Sequence, residues 1–373
     1  MAIRVAHVVR HYGGVTEPFI EQRVRAAGPQ GELWHERLDA TPPIPARRVR
    51  LLGMAPGSIG DRVFHRVPAL GRVLGAAYWS IEQQSRPDVI HAHYLTTGYL
   101  VGTVTTAPIV VSTYGFDVSL MPRRALWGRA IRQIVPRFDA VLAEGPVMRE
   151  AVIDLGFPQD RVHLVPIAAS LAGIVYRDPT PPNGGVRMLL CGRMVEKKGH
   201  ALALEAFAAL IRELPYGSRL VFVGTGPLEA SLRTRSDQLG VQSQVDFLGP
   251  RLRSEYLAIL GNADLLLAPS RTAANGDSEG GAPTTILDAQ ATGVITVASR
   301  HADIPFLVSD DETGYLADEG DALSLSSAIR RALASTRDWS SIAQRARRQV
   351  DARHSDMHVA KLLAAIHDSV ADR

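Results

Sequence analysis

Cys191-Gly192-Arg193-Met194-Val195-Glu196-Lys197-Lys198-Gly199 joins a strand-like run over 186–191 to a helix-like stretch with apolar residues at Leu204, Phe207, Ala208 and Ile211. A turn that leaves the carboxyl end of a buried strand and opens a helix is the anion-binding junction of an open α/β sheet. This one carries two fixed cations, Arg193 and Lys198, which can neutralise charge on a phosphorylated leaving group. Lysine usage sharpens the reading, because lysine occurs only at Lys197, Lys198 and Lys361 in a chain that otherwise takes its basic residues as arginine. A compact ammonium reaches a phosphate oxygen as a point charge where a planar guanidinium would not fit. Two lysines at a helix start also oppose the macrodipole, so the sequence implies an anion between them.

A second segment, Glu279-Gly280-Gly281-Ala282-Pro283-Thr284-Thr285-Ile286-Leu287-Asp288, leads into another helix. Its glycines permit close backbone approach, its helix N-terminus offers free N–H groups, and its carboxylates accept from sugar hydroxyls. A diphosphate clamp beside a hydroxyl-binding carboxylate pair suits a nucleotide-activated sugar.

Working outward, β-branched runs alternate with amphipathic stretches, the pattern of α/β units with parallel strands. The first half gives strand candidates at 3–9, 89–92, 109–113, 140–143 and 162–165, and the second at 186–191, 219–223, 245–248, 265–268 and 295–298. Tyr176-Arg-Asp-Pro-Thr-Pro-Pro-Asn-Gly-Gly185 reads as the linker. The expected domains are therefore 1–180 and 181–373, with the C-terminal helix able to return to the first. Two doubly wound domains are expected to face each other across a cleft at the carboxyl ends of their strands.

The 373 residues exceed the usual size of a single core, and 46% hydrophobic with 21% charged residues is ordinary for a globular chain. A net charge of +3 without blocks of like charge gives no nucleic-acid footprint. One cysteine excludes an intramolecular disulfide and a cysteine-based zinc site. With no signal peptide and no long apolar run, the expected location is cytoplasmic.

With these residues in place, the chain resembles retaining glycosyltransferases of the GT-B fold, family 4. The resemblance rests on an opening strand followed by a Gly-Gly loop and Thr16-Glu-Pro-Phe-Ile20, and on Asp88-Val-Ile-His-Ala-His93 and Tyr114-Gly-Phe-Asp117. It continues through the Gly192–Gly199 segment, Val223-Gly-Thr-Gly-Pro227, Phe247-Leu-Gly249 and the Glu279–Asp288 segment. It implies that Arg193 and Lys198 hold the departing diphosphate and that Glu279 contacts donor-sugar hydroxyls. Gly280, Gly281, Ala282, Pro283 and Thr284 would present backbone amides, and Asp288 would hold the ribose. Gly14 would approach the diphosphate, Gly249, Pro250 and Arg251 would meet the base, and His93, Tyr114 and Asp117 would lie on the acceptor side.

Three departures stand out: an aspartate, Asp288, at the second carboxylate; an extra residue between Glu279 and its helix; and Tyr114 where many members place a histidine. Plainer readings accompany several residues. Asp117 could cap the following helix, Glu279 could be solvated, and Cys191 belongs to the core. His91 and His93 share a strand face, which could suggest a metal, but no third ligand is evident, and one core histidine with one facing the cleft is expected. The basic and apolar stretch 47–72 reads as a solvated helical face or as a contact for anionic membrane.

The expected reaction is transfer of a sugar from a nucleoside diphosphate sugar, UDP-linked, to a hydroxyl acceptor with retention and with neither metal nor cofactor. A sugar-nucleotide epimerase on the same fold and a non-catalytic sugar-nucleotide-binding subunit are the alternatives. Donor sugar, acceptor, pathway and oligomeric state are not written in the sequence.

Overall fold

The computed structural model describes residues 3–13, 18–26, 31–49, 58–70, 73, 76–169, 171, 173–281 and 283–372. Contacts divide the chain into two units, Met1–Ala168 with His354–Arg373, and Ala169–Arg353.

The first unit is built on β1 (Val5–Tyr12), β2 (Glu32–Leu38), β3 (Ala46–Arg48), β4 (Val89–His93), β5 (Ile109–Ser112), β6 (Ala140–Ala143) and β7 (Val162–Leu164), in the order β3-β2-β1-β4-β5-β6-β7. Each neighbouring pair in this order runs parallel. Parallel strands bury both faces, and here the alternation is visible within one strand. Ile90 and Ala92 join a core with Trp34, Phe64, Tyr78 and Trp127, while Val89 joins Val110 and Leu142 beneath Val359, Leu363 and Val370. The last three come from the C-terminal helix Asp356–Ala371, whose apolar stripe covers the second face.

Sequence reading missed β2 and β3. The charges in Glu32-Leu-Trp-His-Glu-Arg-Leu38 hid β2, yet Glu36 is buried against Arg10 at 2.9 Å and Tyr78 at 3.1 Å. β3 is an exposed Ala-Arg-Arg edge strand, so the basic stretch from Arg47 begins as strand rather than as the expected helical face.

The second unit contains β8 (Arg187–Cys191), β9 (Arg219–Val223), β10 (Val245–Phe247), β11 (Leu265–Ala268), β12 (Ile295–Ser299) and β13 (Tyr315–Ala317), in the order β10-β9-β8-β11-β12-β13. Strand order reverses between β8 and β11, the topological switch point where such sheets bind ligands. The cationic turn at Gly192–Gly199 follows β8, and the acidic segment from Glu279 follows its neighbour β11. β13 escaped notice because three residues give no periodicity.

The boundary falls at Ala168 rather than near 180, and 354–373 belong with the first unit. The expected linker is tied into the second unit: the Arg177 N–H donates to Thr292 O at 2.9 Å, and Ser340 donates to Asp178 at 2.8 Å. Among the described residues, no helix is long and apolar enough to cross a membrane.

Candidate active site

The cationic turn is fixed by its backbone before any side chain acts. Gly199 has φ +69°, and a Cβ there would fall 1.9 Å from Pro269 O, so only glycine lets the turn sit against the end of β11. The Arg271 N–H donates to Lys197 O at 2.8 Å and closes the same contact. Gly224, after β9, has φ +125° and lies against Gly192, where a Cβ would approach Gly192 O to 2.1 Å. The Val223-Gly-Thr-Gly motif thus supports the Gly192 turn from the other side.

This packing brings Lys198 and Glu279 together, with Lys198 Nζ 2.8 Å from Glu279 Oε1. Ser270 Oγ donates to the same carboxylate oxygen at 3.0 Å. Burial pushes the Glu279 carboxyl up, but Lys198, Lys197 and the hydrogen bonds outweigh it and hold the group below its ordinary value. Glu279 is therefore a buried, ionised acceptor, not the solvated residue of the plainer reading. Lys197 Nζ in turn meets Asp277 Oδ1 and Ser278 O, each at 3.1 Å. The anions that the two lysines required are present as Asp277 and Glu279, so the lysines alone do not demand an external phosphate. Arg193 is exposed and forms no ion pair with any described residue, which leaves its guanidinium open to a ligand.

Asp288 lies in the helix Thr284–Thr292, is 4% exposed, and accepts a bidentate pair from Arg253 at 2.6 and 2.7 Å. A ribose held by Asp288 would share the carboxylate with Arg253, a partner that sequence reading did not foresee. Cys191 is close by and half-buried at the end of β8 rather than fully in the expected core: burial first and Asp288 next push its thiol up to about 12. Gly249 takes φ +70° after β10 and accepts from the Gly224 N–H at 2.9 Å, while Pro250 and Arg251 are exposed. Gly280 and Gly281 lead to Pro283, which caps the helix beginning at Thr284. Gly14 and Ala282 lie outside the described residues.

Two further residues join the site. His301, 3% exposed at the end of β12, accepts the Glu279 N–H at Nε2 (3.3 Å), with Ser278 Oγ 3.1 Å from the same nitrogen. Its Nδ1 lies 2.9 Å from Glu319 Oε2, just beyond β13, and Glu319 Oε1 accepts the Thr272 N–H at 2.7 Å. A lone histidine carries no sequence signal; the register pairing Ser299 with Ala317 brings these two strand ends together.

In the first unit the expected acceptor-side residues sit deeper than foreseen. His91 and His93 are both fully buried, so neither faces solvent. His93 Nδ1 is 2.6 Å from Tyr114 Oη and His93 Nε2 is 3.2 Å from His7 Nδ1. His91 Nδ1 is 3.1 Å from His367 Nε2 on the C-terminal helix. Burial, with Arg23 and His367 behind it, pushes His93 down to about 3. Asp117 is also fully buried and accepts the backbone N–H groups of Leu95 and Tyr114 at 2.9 and 3.0 Å, which makes it a loop cap. Its carboxyl is pushed up to about 6 by burial, against those bonds. Only Tyr114 of the three is partly exposed, and burial raises its phenol.

His7 supplies the third histidine that sequence reading could not find: it, His91 and His93 offer nitrogens within 4.8 Å of one another. The rings of His91 and His93 stack at 10°, however, so their in-plane lone pairs run parallel instead of converging. The buried Arg23 cation also acts on all three, and five of their six ring nitrogens pair with another histidine or with a hydroxyl, while His7 Nε2 is buried without a partner among the described residues. The arrangement is a hydrogen-bonded chain of neutral imidazoles.

Residues 177–349 match the family model described as glycosyl transferases group 1, and residues 4–168 match that described as a glycosyl transferase 4-like domain. The amylovoran biosynthesis glycosyltransferase AmsK of Erwinia amylovora is 32% identical over 76% of this chain and 70% of its own. The GDP-mannose-dependent alpha-(1-6)-phosphatidylinositol monomannoside mannosyltransferase of Mycolicibacterium smegmatis is 32% identical over 39% of this chain and 38% of its own. Among solved structures, Anabaena HepE in complex with UDP-glucose aligns with a TM-score of 0.76 at 17% identity, covering 98% of this chain and 100% of that one.

Proposed function

The chain belongs to glycosyltransferase family 4 and is a glycosyltransferase of the GT-B fold, and from that premise we propose that it moves a hexose from a UDP-sugar to a hydroxyl acceptor with retention. The observation that carries the proposal is the Lys198–Glu279 contact of 2.8 Å where the β8 and β11 segments meet. A donor seated there would set its leaving phosphate oxygen against Lys198 and its sugar hydroxyls against Glu279, with the bond to be broken between them. Arg193, exposed beside this turn, would take charge on the diphosphate. The chemistry is then electrostatic: cations already in place stabilise charge as it grows on the leaving oxygen. That oxygen, still on the face it left, accepts the acceptor's proton, so no protein nucleophile is required. Arg193 and Lys198 supply the neutralisation that a divalent ion gives elsewhere, so the reaction is read as metal-free.

UDP is favoured by the nucleotide bound to HepE, whereas the mycobacterial relative uses GDP-mannose. Asp288, paired with Arg253, would read the ribose and leave the base to Gly249, Pro250 and Arg251. Tyr114 would be the first-unit group nearest the acceptor, with His93 acting behind it. Exposed Val63, Val67 and Leu70 interleave with exposed Arg62 and Arg66, which supports a peripheral contact with anionic membrane through 47–72. The proposed location is cytoplasmic. Incubation with UDP-, GDP- and ADP-sugars in EDTA, reading nucleotide release and the anomeric configuration of the product, tests the reading. Activity that requires added magnesium, or a product of inverted configuration, would refute it.

A further inference from the structure

We infer that His301, braced by Glu319, is a positioning residue that holds the acidic loop so that Glu279 faces Lys198. This rests on the reading that Glu279 meets the donor sugar. The loop runs from Ser270 at the end of β11 to Glu279, and Glu319 secures both its ends: Thr272 directly, through its N–H at 2.7 Å, and Glu279 through His301. Because Nε2 accepts the Glu279 N–H, the imidazole proton lies on Nδ1 and is donated to Glu319 at 2.9 Å. That fixes the tautomer, and burial of the ring to 3% exposure fixes its plane. Lys197 secures the stretch just before Glu279 through Asp277 and Ser278 O. A line of contacts therefore crosses the carboxyl end of the sheet, from Lys198 after β8 to Glu279, then His301 after β12 and Glu319 after β13. His301 itself touches backbone and Ser278, so it acts through where it puts Glu279. Displacing a reacting contact by about 1 Å can cost on the order of a hundredfold in rate.

Two isosteric variants separate the hydrogen bonds. His301→Asn keeps a donor where Nδ1 points at Glu319 and removes the acceptor for the Glu279 N–H; His301→Gln puts an amide oxygen near Nε2 and releases Glu319. We expect amide exchange in the peptide 271–279, followed by mass spectrometry, to quicken about tenfold in His301→Asn and much less in His301→Gln, with β8 and β11 unchanged. Turnover of UDP-glucose or GDP-mannose to free nucleotide should fall roughly ten- to a hundredfold in His301→Asn, recover in His301→Gln, and leave nucleoside diphosphate affinity within about twofold. Loop exchange equal to wild type in His301→Asn, or equal loss of turnover in both variants, overturns the inference. Should His301→Asn not fold, Glu319→Gln carries the same exchange test. Glu279→Gln separates the two readings: normal turnover in that variant would sink the role of Glu279, whereas the exchange result bears on His301 alone.

Discussion

Lys198→Met removes the ammonium and keeps most of the stem, leaving Glu279 ionised, with side-chain exposure of 9% and Ser270 as its remaining close donor. Breaking a buried pair by deleting one partner costs about 3–5 kcal/mol. Lys198 is 22% exposed and Lys197 still acts on the carboxylate, so the lower end, about 3 kcal/mol, is expected. For a unit of this size that lowers the melting temperature by roughly 6–12 °C. The sign with pH follows from the carboxyl. In the wild type Glu279 is held below its ordinary value, so its stabilisation is present above the unfolded pKa and is lost as pH falls through the folded one. Without Lys198 its pKa should rise, and the deficit should shrink on acidification as Glu279 takes up a proton. The double variant Lys198→Met/Glu279→Gln leaves no unpaired charge at this contact and should recover most of the stability while turnover stays about a hundredfold low. Thermal melts at pH 7.5 and pH 5 with turnover on all three variants test this. Wild-type melting of Lys198→Met, or restored turnover in the double variant, would refute the argument.

Arg193→Ala should lower turnover by about two orders of magnitude with an unchanged melting temperature, since the side chain is exposed; near-normal turnover would remove it from the clamp. Asp288→Asn should weaken nucleoside diphosphate and donor alike by roughly ten- to a hundredfold and also destabilise the unit by loosening Arg253. Glu279→Gln should weaken only the donor, and matching calorimetric profiles for these two variants would show their roles misassigned. The first unit should lose stability on mild acidification, because buried His93 and His367 are pushed down to about 3 and about 4. Their contribution is complete above the unfolded value near 6.5, and each loses about 2 kcal/mol between pH 7 and pH 5. Asp117, pushed up to about 6, offsets about 1 kcal/mol of this by gaining a proton more readily when folded. Melting of the first unit that is level from pH 7 to pH 5 would contradict this, and His367→Phe should flatten the profile.

Apolar parallel strands were legible because burial on both faces writes continuous hydrophobic runs, as in Ala140–Ala143 and Leu265–Ala268. The turn at Arg193 and Lys198 and the loop at Glu279 were legible because glycines and charges together at a strand end are what a phosphate-binding junction requires. What stayed hidden is pairing across distance. Nothing along the chain joined Glu36 to Arg10 and Tyr78, which hold it in the core. His7 and His367 gave no sign that they would meet His93 and His91. Nothing in the sequence tied Arg253 to Asp288, and His301 and Glu319 became partners through an edge strand too short to detect.

The pairing of Lys197 with Asp277 and of Lys198 with Glu279 also bears on how an anionic donor arrives. Those lysines are locally neutralised at rest, so they project little field beyond a Debye length of about 8 Å at physiological ionic strength. Exposed Arg193 is then the main long-range attraction at this turn. With the donor seated as proposed, capture would begin as a weakly steered encounter, with an association rate only modestly sensitive to salt. The stronger Coulombic contacts would form later, when the diphosphate competes for Lys198 and sugar hydroxyls replace the ammonium on Glu279. Discrimination between sugar nucleotides would thereby be deferred from the collision to this partner exchange, and a poor fit would leave before it is completed.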